Sequence, residues 1–331
     1  MRETDDAVSI ALTERDGAPI AFEAGQFLTL HLEVDGAVLR RAYSLSTSPR
    51  SGTSAITVKR IEGGRASSYL VERLREGDRL RALGPSGSFL APAASEPAHL
   101  VMIAGGSGIT PVISIAEAVL ESRPELAVTI VYGNRRPRDV IFAERLARLA
   151  ERHERLEVVH VLSEPDEGFE GPRGVLDRAM IEARLDAIAD RGPRRYYVCG
   201  PAPVMDAARE ALAARGVPAE RVHEERFQSP ADAIGAPLPA EAVTMRVRAG
   251  GRDHVLRVAP GQTLLEAGLA GGARLPFSCA MGGCGACKVK LVSGTVHEDE
   301  RTCLSPSERE AGYVLACSSR PTSAVAIEVE R

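Results

Sequence analysis

The chain has 331 residues, enough for two or three domains of ordinary size. Its formal net charge of −4 speaks against a non-specific nucleic-acid binder, and 44% hydrophobic with 26% charged residues is the balance of a globular protein. No apolar run approaches the ~20 residues of a membrane span, and the polar start Met1-Arg2-Glu3-Thr4-Asp5-Asp6 predicts neither a signal nor a transit peptide, so the cytoplasm is expected.

Up to about Pro92, short alternating runs such as Phe27–Leu32 and Ser54–Lys59 are broken by Gly and Pro turns, which predicts a small antiparallel β-barrel. Within it, Gly63-Gly64-Arg65-Ala66-Ser67-Ser68 precedes a helix expected over Tyr69–Leu74. Glycines, hydroxyls and unpaired helix amides could seat a phosphate there, although Ser caps helices with no ligand at all. From Ala98 the pattern alternates strand and helix, predicting a parallel sheet with helices on both faces. Strands are expected at Leu100–Ala104, Ala127–Tyr132, Leu156–Leu162, Arg195–Cys199 and near Arg221. Helices are expected after Pro111 to about Leu120, over Asp139–Arg152, Asp177–Ala189 and Val204–Arg215. Gly105, Gly133, Ser163 and Gly200 close successive strands, and ligands of such sheets bind at the carboxyl ends of the strands. The loop is not GxGxxG, so the ordinary dinucleotide fingerprint is absent. Residues 229–240, rich in Pro, Gly and Ala, read as a linker. Beyond them a hairpin (Val243–Ala249 and His254–Val258), a helix from Thr263, a strand at Lys288–Val292 and a last strand at Val325–Val329 are expected.

Between that helix and strand lies Cys279-Ala280-Met281-Gly282-Gly283-Cys284-Gly285-Ala286-Cys287, with Cys317 far downstream. The spacing C-x4-C-x2-C plus a distant cysteine is that of a plant-type 2Fe–2S cluster, whose four thiolates come three from one loop and one from elsewhere. Zinc sites usually pair two short knuckles, and Cys317 has no near partner. A disulfide framework suits a small secreted domain. Zinc held by Cys279, Cys284, Cys287 and Cys317 in a docking module is the competing reading. Cys303 reads as a core or surface thiol, and the 7 histidines show no ligand spacing.

Several motifs in this order resemble a known family. Residues 8–229 resemble the ferredoxin–NADP reductase superfamily and residues 241–331 a plant-type ferredoxin. That is the order of bacterial oxygenase reductases, of the branch containing 3-ketosteroid 9α-hydroxylase and phenylacetyl-CoA epoxygenase reductases. Phthalate dioxygenase reductase shares the order but uses FMN. The motifs are Arg41-Ala42-Tyr43-Ser44, Gly64-Arg65-Ala66-Ser67, Gly105-Gly106-Ser107-Gly108-Ile109-Thr110-Pro111, Cys199-Gly200-Pro201 and Glu225-Arg226-Phe227. The resemblance implies a multi-domain chain: a flavin-binding β-barrel (1–95), an NAD(P)-binding α/β domain (96–228), the linker (229–240) and an α+β β-grasp ferredoxin domain (241–331). It implies that Tyr43 stacks on the flavin, Ser44 approaches its N5, and Arg41, Gly64 and Ser67 hold its phosphate. Gly105, Gly106, Gly108, Thr110 and Pro111 would meet the nicotinamide nucleotide, with Cys199, Gly200 and Pro201 beside its ring and Glu225 and Phe227 at the flavin edge. FAD is expected over FMN, with Phe89 of Gly84-Pro85-Ser86-Gly87-Ser88-Phe89 near the adenine.

Coenzyme choice is read at the strand ends. A 2′-phosphate wants basic neighbours and a free 2′-hydroxyl pairs with a carboxylate. Ser163-Glu164 stands where NADPH-using relatives have Ser-Arg, so NADH is favoured, while Arg135, Arg136 and Arg138 would suit NADPH. The implied activity is electron transfer from NADH through FAD and the cluster to a terminal oxygenase, Rieske-type or diiron, by a monomer. A cytochrome P450 or a desaturase is the alternative acceptor.

Overall fold

The computed structural model describes residues 1–92, 99–227, 239–280, 282, 285–298 and 304–330. The chain divides into two compact units, Met1–Phe227 and Gln228–Arg331.

The first unit begins with two three-stranded antiparallel sheets. One has the order β1-β2-β5 (Arg2–Thr4, Ala7–Leu12, Ser54–Lys59), the other β4-β3-β6 (Ala37–Ser44, Phe27–Val34, Arg81–Ser86). Alternation closes them into a barrel-like layer: Leu28, Leu30, Leu32 and Val34 of β3 share one core with Leu45, Ile56 and Val58. The helical stretch expected at Tyr69–Leu74 begins earlier than its sequence suggests. The α-helix α1 covers Arg65–Ser68 and opens into a wider turn over Tyr69–Arg73.

The rest of this unit is a parallel sheet of order β11-β10-β7-β8-β9 (Val222–Glu225, Arg194–Cys199, His99–Gly105, Val128–Asn134, Leu156–Leu162). Neighbours along β7 face opposite ways. Leu100, Met102 and Ala104 pack with α2 (Ile109–Ser122) and α3 (Ala143–Arg152). Val101 and Ile103 pack with α4 (Arg178–Ala187) and α5 (Ala202–Ala214). The helix expected from Asp139 starts only at Ala143, because Phe142 is buried at φ 64, a left-handed residue that an α-helix cannot contain. Asp177 caps α4 by accepting from the Met180 amide at 2.8 Å. Barrel and sheet are joined inside this unit: Ser114 Oγ donates to the Thr47 carbonyl at 2.8 Å and Tyr197 Oη to that of Leu90 at 3.0 Å.

The second unit is a mixed sheet of order β13-β12-β18-β14-β16 (Arg252–Val258, Val243–Ala249, Val325–Glu328, Lys288–Ser293, Tyr313–Leu315), with a short pair, β15 (Val296–Glu298) and β17 (Ser319–Pro321). Strands β12 and β18 run parallel, while β12–β13 is the predicted hairpin with Gly250 and Gly251 at positive φ. Helix α6 (Leu264–Ala270) starts at a capping box formed by Thr263 and Glu266, and its Leu264, Leu265 and Ala267 enter the core that also holds Cys287 and Cys317. Helix α7 is Pro306–Glu310. No helix among the described residues is long and apolar enough to cross a membrane.

Candidate functional site

Two motifs remote in sequence meet at the carboxyl end of the parallel sheet. β10 ends at Cys199, in register with Ala104 of β7 on one side and Glu225 of β11 on the other. The loop after β7 closes directly onto the residues after β10. A Cβ on Gly108 would lie 2.1 Å from the Cys199 carbonyl oxygen, and one on Gly105 2.9 Å from Pro201 Cδ. At Gly108 backbone touches backbone, which leaves room for glycine alone. Thr110 Oγ1 donates to the Ser107 carbonyl at 3.0 Å and Pro111 is buried, so the loop is tied to the start of α2. Cys199 is fully buried, and its thiol is held neutral by burial first and by the Glu225 carboxylate second, both raising its pKa.

The barrel contributes to the same place. Ser44, at the end of β4 and 2% exposed, donates through Oγ to Glu225 Oε2 at 3.0 Å. Tyr43 is half-buried; burial pushes its phenol up to about 12, with Arg41 opposing the shift. Arg41 shares the Tyr43 face of β4 and gives Nη1 to the Arg40 carbonyl at 2.7 Å. Near α1, Ser67 Oγ donates to the Gly64 carbonyl at 3.1 Å and accepts from the Ile61 amide at 3.1 Å. Gly64 carries no side chain because its Cβ would meet that hydroxyl at 2.6 Å. No side chain caps the amides that open α1.

On the rim beyond β8 and β9, Glu164 bridges two arginines. Arg135 Nε lies 2.7 Å from Oε1 and Arg136 Nη2 2.7 Å from Oε2. The two guanidinium groups hold the Glu164 carboxyl below its ordinary range through hydrogen bonds, Arg135 first. Ser163 is exposed beside it, with its amide on the Asn134 carbonyl at 3.2 Å.

In the second unit Cys279, Cys287 and Cys317 are all buried, 4%, 1% and 8% exposed. Cys287 and Cys317 bring their sulfurs to 3.1 Å, and the Gly282 amide donates to Cys317 Sγ at 3.0 Å. The neighbouring Cys287 thiol, burial and Cys279 all raise the Cys317 pKa, so the group favours a cationic partner over free thiolates. Among the described residues no three His, Cys, Asp or Glu side chains surround one point as a closed metal site; Cys284, from the same loop, lies outside the described residues, as does Cys303. Converging thiols in an apolar pocket, with a backbone amide aimed at sulfur, fit a 2Fe–2S cluster.

Residues 6–90 match the family described as an oxidoreductase FAD-binding domain, 102–210 an oxidoreductase NAD-binding domain, and 247–322 a 2Fe-2S iron-sulfur cluster binding domain. The chain is 35% identical to one component of the 1,2-phenylacetyl-CoA epoxidase of Escherichia coli K12, covering 99% of this chain and 95% of that one. It is 38% identical to the ferredoxin reductase component of 3-ketosteroid-9-alpha-monooxygenase of Mycobacterium tuberculosis, covering 97% and 91%. The chain belongs to the oxygenase-reductase family. Its fold matches that of phthalate dioxygenase reductase with TM-score 0.67 at 27% identity, over 99% of this chain and 95% of that structure. It is an oxidoreductase with FAD-binding, NAD-binding and 2Fe–2S domains in that order.

Within this reductase the structure brings Ser44, Cys199, Glu225, Gly105, Gly108 and Pro201 together, and Arg135 with Glu164. Two expectations change. Phe89 is 3% exposed with its ring edge-on to Tyr197 at 5.3 Å, so it packs barrel against sheet and leaves no open face for an adenine. The opposition expected between Glu164 and the arginines is one ion-paired cluster, since the carboxylate occupies Arg135 and Arg136. Phe227 lies 42% exposed at the end of the first unit. Sequence reading missed Tyr132, a buried tyrosine at a strand end, whose hydroxyl donates to the Gly106 carbonyl.

Proposed function

We propose that the Ser44, Glu225 and Cys199 cluster is where this reductase carries out hydride transfer from NADH to FAD, on the way to its 2Fe–2S cluster and a terminal oxygenase. The Ser44–Glu225 hydrogen bond supports the reading most strongly, because it joins the last residue of a barrel strand to the last residue of a sheet strand at 3.0 Å. When bound, NADH supplies a hydride, FAD converts that pair into single electrons, and the cluster carries them one at a time.

Each residue then has a defined task. Tyr43 offers an aromatic face and Arg41 a cation on the same side of β4, which suits a flavin ring and its phosphate. Gly64 keeps the α1 entrance narrow, and Ser67 shapes that turn with its hydroxyl while the α1 amides face the phosphate. Glu225 accepts a hydrogen bond from the Ser44 hydroxyl and fixes the direction of that hydroxyl. Cys199 presents a neutral thiol, so no thiolate charge competes beside the nicotinamide. Gly105, Gly106, Gly108, Thr110, Pro111, Gly200 and Pro201 form the nucleotide wall, and Ser163 and Glu164 its ribose end. Phe227 closes the flavin edge. Cys279, Cys284, Cys287 and Cys317 hold the cluster, with the domains divided at 1–95, 96–228, 229–240 and 241–331. The reductase acts as a monomer in the cytoplasm, and its acceptor is a Rieske-type or diiron oxygenase.

Substituting Cys317→Ala in the full chain tests the electron path. Reduction of a two-electron dye by NADH is expected to stay within about twofold, while reduction of the one-electron acceptor cytochrome c falls by more than about tenfold. Equal retention of both activities would contradict the path through the cluster.

A further inference from the structure

Tyr132 is fully buried near the carboxyl end of β8. Its hydroxyl donates to the Gly106 carbonyl at 2.9 Å. Removing that hydroxyl takes a hydrogen-bond partner from the Gly106 carbonyl in a buried setting. Burial raises the phenol well above its ordinary pKa, so it remains a donor at every working pH.

The glycine loop shows why this bond is placed where it is. Gly108 is fixed by contact with the Cys199 backbone and Gly105 by Pro201. Gly106 lies between them at φ 51, with nothing within 4 Å of the place a Cβ would take. No side chain wedges its peptide from the open side. The Gly106 carbonyl accepts from the Ile109 amide of its own turn and, across from it, from Tyr132 of the neighbouring strand, where Gly105 pairs in register with Gly133, the residue after Tyr132.

We propose that Tyr132 is a positioning residue for pyridine-nucleotide binding: its hydroxyl holds the Gly106 carbonyl inward and so turns the following loop amides toward the nucleotide. The proposal rests on the glycine loop being the nucleotide wall. Tyr132 touches neither hydride donor nor acceptor and acts only through the loop.

The test uses the full-length holoprotein with Tyr132→Phe, which keeps the ring and removes the hydroxyl. The KM for NADH is expected to rise about five- to tenfold, the size of one buried hydrogen bond. The kcat for dye reduction and the flavin content stay as in the wild type. In the absence of nucleotide, amide hydrogen exchange over residues 105–110 speeds up about tenfold. An unchanged KM with unchanged exchange would overturn the proposal. So would a fall of kcat, flavin content and melting temperature together, which would show that the hydroxyl merely supports the domain. The wild type is measured with and without NAD+. Lack of protection over residues 105–110 there would sink the nucleotide wall itself, whereas protection in the wild type with no effect of Tyr132→Phe would sink only the positioning role.

Discussion

Replacing Glu225 by Gln keeps the shape of the side chain and removes the charge that Ser44 faces. Ser44 Oγ lies 3.0 Å from Glu225 Oε2, in a place where Ser44 is 2% exposed, and the glutamine amide oxygen can still accept, so what the substitution removes is the charge on the acceptor. A hydrogen bond to a charged group contributes about 1.5–3 kcal/mol. A neutral hydrogen bond contributes about 0.5–1.5 kcal/mol, so where the pair serves the hydride-transfer step the loss of the charge, about 1–1.5 kcal/mol, slows that step by about 5- to 13-fold at 1.36 kcal/mol per factor of ten. The effect belongs in the rate and not in nucleotide affinity, because Glu225 ends β11 while the nucleotide wall is built from the loops after β7 and β10. Anaerobic stopped-flow reduction of the bound flavin by NADH reads this rate directly, with its NADH dependence giving affinity in the same experiment. Ser44→Ala should lose a similar factor, and the double variant little more than either alone, since the two residues act as one pair. Flavin reduction within twofold of wild type in Glu225→Gln would refute the reasoning and leave the bond a structural link between barrel and sheet.

Glu164→Gln frees Arg135 and Arg136 from a carboxylate 2.7 Å from each, and the ratio of kcat/KM for NADPH over NADH should rise by about an order of magnitude; an unchanged ratio would remove Glu164 from coenzyme choice. His99 is buried with its Nε2 2.9 Å from Thr129 Oγ1, and burial, then Arg194, lower its pKa from 6.5 to about 4. The fold therefore keeps it neutral. Its contribution to stability is intact above pH 6.5 and is lost as pH falls toward 4, by up to about 1.4 kcal/mol per pH unit. Urea melts across that window should show the slope, and His99→Leu should flatten it.

Much of this arrangement is legible locally. The cluster loop is compressed into nine residues because three thiolates must come from one turn, and the strand-end glycines announce a ligand rim because close backbone approach excludes a Cβ. What is not legible is anything that depends on two distant segments meeting. Nothing near Ser44 in sequence points to Glu225, and the bond appears only when the barrel docks on the sheet. Ser67 looks like a phosphate ligand, yet its hydroxyl is occupied by Gly64 and Ile61, as small polar residues near helix starts often are. Phe142 at φ 64 stops a helix whose periodicity runs through it, because buried packing outweighs local preference. Tyr132 reads as one more core residue of a buried strand until its hydroxyl is seen on the glycine loop.

The most direct test of the electron path is anaerobic titration of the purified protein with NADH, followed by visible absorbance and by electron paramagnetic resonance at low temperature. The account predicts flavin bands with a cluster shoulder that bleach together, and a reduced 2Fe–2S signal that grows with added NADH. Flavin bleaching with no cluster signal, together with zinc on metal analysis, would contradict it and turn the C-terminal cysteines into a structural site.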